Sequence, residues 1–100
     1  MTKLFLDTNV WVRYLIKDEP KQFVTVKNLL ALVEEGKYQP YTSSIVLLEL
    51  SYVLKSVYSF AFSEIVDALE SVVAVREITI IEATNSALAL AFFKTHKIKF

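Results

Sequence analysis

One hundred residues make a single domain, near the small end of what sustains its own core. Lys+Arg and Asp+Glu balance at 11 each, so net charge gives no argument for nucleic-acid binding, and only a local basic patch could supply one. The lack of cysteine excludes disulfides and thiolate metal sites and fits a reducing cytosol.

Met1-Thr2-Lys3 runs directly into a strand-like segment and has neither the apolar stretch nor the small-residue cleavage site of a signal peptide. No apolar run approaches the ~20 residues of a membrane span. A soluble, cytoplasmic protein without membrane partners is the expectation. Leu4-Phe5-Leu6 reads as a short, fully buried strand. Asp7-Thr8-Asn9 opens a helix, with Thr8 or Asn9 as the N-cap ahead of Val10 to Ile16. Asp18-Glu19-Pro20 breaks that helix and starts the next. Val24, Val26, Leu29, Leu30, Leu32 and Val33 then recur at helical spacing up to Gly36, a C-terminal stop.

Tyr38 to Thr42 is predicted as a second strand, with Pro40 arguing for an edge position or a strand start. Ser43 or Ser44 can cap the apolar helix that follows. Another helix is predicted from about Ser63, itself a candidate N-cap, through Val72-Val73. Arg76 to Ile81 is strand-like, and Ala83 to His96 is Ala/Leu-rich and helical. This order of strand, two helices, strand, two helices, strand, helix predicts an α/β domain with a parallel sheet.

Two acids stand out. Asp7 ends an apolar strand, where ligands gather in open parallel sheets; the plainer alternative is that it only caps the helix. Glu49 lies alone among Ile45, Leu48, Tyr52 and Val53, and a buried charge is costly unless paired or bound to a metal. Its plainer alternative is a narrow solvated stripe. Asp7 and Glu49 both fall near the strand carboxyl ends, and together they predict a divalent-cation site for phosphate chemistry. Asp18, Glu19, Glu34, Glu35, Glu64, Asp67, Glu70 and Glu77 read as solvated surface. Arg13 is placed to meet a phosphate backbone. Lys94 to Lys99 form a small basic run, and His96 has no partner that would mark it as a base.

Leu4-Phe5-Leu6-Asp7-Thr8-Asn9-Val10, then Arg13-Tyr14-Leu15 and Asp18, then Ser43 to Leu50, resemble the PIN-domain nucleases, and most closely the toxins of bacterial and archaeal toxin–antitoxin pairs. The likeness runs over essentially the whole chain; its motifs are specific through their order and spacing. It implies a three-layer α/β/α domain and a metal-dependent endoribonuclease. Acidic side chains would hold Mg²⁺ or Mn²⁺ against an RNA phosphodiester. Asp7 matches the family's first acid and Glu49 its second, Thr8 or Asn9 would orient the site, and a cognate antitoxin would be a partner. The family's third acid would follow the helix ending near His96, so the chain is expected to lack the last strand–helix steps of the fold. Two acids alone predict weak metal binding and little or no cleavage. The first strand, central in the family, would have an open edge here. With 54% hydrophobic residues and a mean hydropathy of +0.42, that edge predicts self-association. Two alternatives are a PIN-like binding module without catalysis and a haloacid-dehalogenase-type phosphatase. The latter needs a second Asp where Asn9 stands.

Overall fold

The computed structural model describes residues 2–82. Three parallel strands, β1 (Thr2–Phe5), β2 (Tyr38–Ser43) and β3 (Thr79–Ile81), lie in the order β1-β2-β3. Each crossover contains two helices: α1 (Thr8–Ile16) and α2 (Pro20–Glu34), then α3 (Ser44–Ser56) and α4 (Phe62–Val73). The predicted order of elements holds through β3. The helix expected from Ala83 to His96, the basic run and His96 lie outside the described residues.

Both crossovers step the same way along the sheet, and right-handed connections in one direction put their helices over one face. Alternation along the strands fits that placement. Leu4, Pro40, Thr42 and Ile80 share one face, which Leu6 extends, and each of them is buried or half-buried. Phe5, Tyr41, Thr79 and Ile81 share the other, where Phe5 is 51% and Ile81 48% exposed. The fully buried first strand predicted from Leu4-Phe5-Leu6 is therefore half right. Leu6 is completely buried, but Phe5 points to the face that no described helix covers. Of the expected three layers, the described residues form two.

Leu6 packs with Trp11, Val12, Val26, Leu30, Val46, Leu50, Leu54, Ala68 and Val72 in one core. The spacing of Val26, Leu30 and Val33 in α2, and of Val46, Leu50 and Leu54 in α3, is the stripe that a packed helix needs. Full burial of each such side chain contributes roughly 1.5–3 kcal/mol. The breaks are chemical. Lys17 takes a left-handed conformation (φ 60°) to end α1, and Pro20 occupies the first turn of α2, where its missing N–H is harmless. Gly36 (φ 80°) closes α2: its N–H donates to the Val33 carbonyl and that of Lys37 to the Leu32 carbonyl.

Three local expectations are corrected. Pro40 lies within the central strand, not at an edge or a strand start. Residues of a parallel strand face alternate neighbours, and the Tyr41 carbonyl accepts from Leu6 N–H on the β1 side. Pro40 therefore faces the β3 side, where pairing begins only at Tyr41 opposite Thr79, so no ladder donor is lost. Second, α4 starts at Phe62 with Ala61, not Ser63, as N-cap; the Glu64 side chain reaches back to accept from the Ala61 N–H at 2.9 Å. Third, β3 is only three residues long, because Glu77 turns the chain with φ 57° before Thr79.

Candidate metal and phosphate site at two strand–helix junctions

The β1–α1 junction is built around Asp7. The ladder runs one residue past β1, with Leu6 N–H donating to the Tyr41 carbonyl at 2.8 Å, which delivers the chain to Asp7 in extended conformation. Asp7, rather than Thr8 or Asn9, is the N-cap of α1: its Oδ1 accepts from the Val10 N–H at 3.2 Å. The plain capping role is thus real. It occupies one carboxylate oxygen of an exposed side chain and is compatible with a second role for the other.

The β2–α3 junction has no loop. Ser43 is both the last residue of β2 and the N-cap of α3, its Oγ accepting from the Val46 N–H at 3.1 Å. Glu49 is the sixth residue of α3, about 7.5 Å along the axis from the first. It flanks the buried stripe between Val46 and Leu50; the residue is half-buried, and its Oε2 is shut off from solvent.

One hydroxyl ties the two junctions together. Thr42, completely buried, donates from Oγ1 to the Leu6 carbonyl at 2.9 Å and accepts from the Trp11 indole N–H at 3.4 Å. It links β2 to the residue before Asp7 and to the second turn of α1. Sequence reasoning misses Thr42; the signal for it is a polar residue in a strand, one position before a helix cap. With the junctions pinned, the N-termini of α1 and α3 emerge from adjacent strands at one edge of the sheet, where helix dipoles favour anions.

Thr8 is buried as the first residue of α1, and Asn9 is exposed beside it. Arg13 lies further along α1, its Nη1 paired with Asp18 Oδ1 at 3.2 Å across the helix end. Asp18, Glu19, Glu34, Glu35, Glu64, Asp67, Glu70 and Glu77 are exposed, as expected of solvated acids. Several have structural partners: Glu34 accepts from the Arg76 N–H at 3.2 Å, while its carbonyl accepts from the Arg76 guanidinium at 3.0 Å.

Asp7 and Glu49 offer hard carboxylate oxygens of the kind that Mg²⁺ and Mn²⁺ prefer. Among the described residues, no group of three or more His, Cys, Asp or Glu side chains could hold a metal ion. No helix of the described residues is long and apolar enough to cross a membrane.

Compared with protein-family models, residues 3–91 match the PIN domain. No curated protein and no solved structure matches the chain.

Proposed function

The chain belongs to the PIN-domain family, a family of nucleases that generally use divalent metal ions, and from that membership we propose that it is a Mg²⁺- or Mn²⁺-dependent endoribonuclease with Asp7 and Glu49 as its catalytic metal ligands. The observation that carries the reading is that Asp7 caps, and Glu49 lies within, helices that leave the carboxyl ends of adjacent parallel strands. A bound cation would polarise the phosphate and lower the pKa of a coordinated water.

The chain's own residues do the rest. Asp7 and Glu49 present negative charge from two separate elements. The first turns of α1 and α3 favour an anionic phosphate at the same edge. Thr8 and Asn9, next to Asp7, orient the site, and Arg13 meets the RNA backbone. Two carboxylates leave most of an octahedral shell to water, so cation affinity is low and cleavage slow. The order and spacing of Leu4 to Val10, Arg13-Tyr14-Leu15, Asp18 and Ser43 to Leu50 support a toxin role, with an antitoxin protein as partner. Phe5 and Ile81, exposed on the sheet face that no described helix covers, and Phe62, 82% exposed, support self-association. A light-scattering mass that stays monomeric at every concentration would count against that.

The test of function is cleavage of fluorescent single-stranded RNA in Mn²⁺. Slow cleavage that EDTA stops, and that Asp7→Asn and Glu49→Gln each abolish while circular dichroism stays unchanged, is the expected result. RNA binding with no cleavage at any Mn²⁺ concentration would overturn catalysis and leave a binding module.

A further inference from the structure

Beside the Asp7 junction, α1 and α2 enclose an open cleft of about 320 Å³. Its lining is mostly apolar and includes Val10, Thr25 and Val26, and Arg13, Lys21, Asn9 and Gln22 also border it. Among the described residues, no carboxylate lines it. Asn9 and Arg13 are one turn apart on α1, and Gln22 and Val26 one turn apart on α2, so two facing stripes form the walls. The cleft begins next to the candidate site: Val10, part of its lining, donates its N–H to Asp7 Oδ1.

Resting on the ribonuclease reading, we propose that this cleft is a nucleotide subsite that holds the RNA residue adjoining the cleaved bond. The base lies against Val10 and Val26, its edges within reach of Asn9 and Gln22, and its phosphate is shared by Arg13 and Lys21. Charge favours this occupant. Two cations bordering a mostly apolar lining match a ligand with one anionic group and one flat apolar ring, which is what a nucleotide offers. The Arg13–Asp18 pair holds the guanidinium through Nη1, leaving its other N–H donors for the phosphate. Asp18 is therefore both a positioning residue and a competitor for the same cation.

The experiment measures anisotropy of a labelled single-stranded RNA in EDTA, using the 100-residue chain carrying Asp7→Asn so that no cleavage intervenes. Adding Arg13→Ala and Lys21→Ala should weaken binding several-fold. The slope of log K against log salt should become shallower by about 0.7 for each phosphate that no longer meets a cation. Adding Asp18→Asn instead should tighten binding, a gain that a misfolded variant would not produce. Unchanged affinity and slope in the Arg13/Lys21 variant, with RNA cleavage by the wild-type chain intact, would overturn the subsite and spare the nuclease. Wild-type protein that neither binds nor cleaves RNA would overturn both.

Discussion

The two strand–helix junctions solve the same problem with different divisions of labour. At the first, Asp7 is at once the helix cap and the candidate metal ligand. At the second, Ser43 does the capping and Glu49 stands six residues further on in α3, half-buried against the core. Stability and function should therefore be entangled at Asp7 and separable at Ser43 and Glu49. The exposed acid is held by the backbone, whereas the half-buried one is held by its helix.

The largest effect should come from breaking what joins the junctions. Thr42→Val keeps the shape but strands two buried groups, the Leu6 carbonyl and the Trp11 indole N–H. Each orphaned group costs roughly 1–3 kcal/mol, so the variant should lose more stability to urea than any single cap variant. Equal or greater stability would mean that the junctions are not coupled through this hydroxyl.

Removing a cap is a smaller loss. Asp7→Ala and Ser43→Ala should each lower stability by about 1 kcal/mol, as loss of a side-chain N-cap does. Their functional consequences should diverge: Ser43→Ala retains RNA cleavage and Asp7→Ala loses it. Asp7→Asn sharpens the contrast, because asparagine caps nearly as well, and should shift stability least of all while still abolishing cleavage. A Ser43→Ala chain as inactive as Asp7→Ala would show that the second junction also carries chemistry at its cap.

Much of this is legible in the sequence because local chemistry decides it. Pro20, Gly36 and the apolar stripes at Val26-Leu30-Val33 and Val46-Leu50-Leu54 place the helices unaided. Asp7 stands out as an acid ending an apolar strand, and Glu49 as the one charge amid an apolar run. The cap of α1 is hard to place among three adjacent candidates because Asp7, Thr8 and Asn9 all have side chains that can cap. Pro40 misleads for a different reason: whether a proline harms a strand depends on which neighbour its nitrogen faces, and that is set by register. The exposure of Phe5 follows from crossover handedness, and the α1–α2 cleft from how two helices pack. Neither is written in a local pattern. Ala61 escapes notice as a cap because the work is done by Glu64, three residues later.

The most direct measurement is Mn²⁺ binding, followed by electron paramagnetic resonance, to the wild-type chain and to Asp7→Asn, Glu49→Gln and the double variant. If the two junctions share one cation, the wild-type chain binds a single weak Mn²⁺. Each single variant should then lose at least the roughly 10-fold that even outer-sphere partners contribute to a metal site. The double variant should bind little worse than either single one, because the cation is already gone. Unchanged Mn²⁺ affinity in Asp7→Asn or in Glu49→Gln would contradict a shared site.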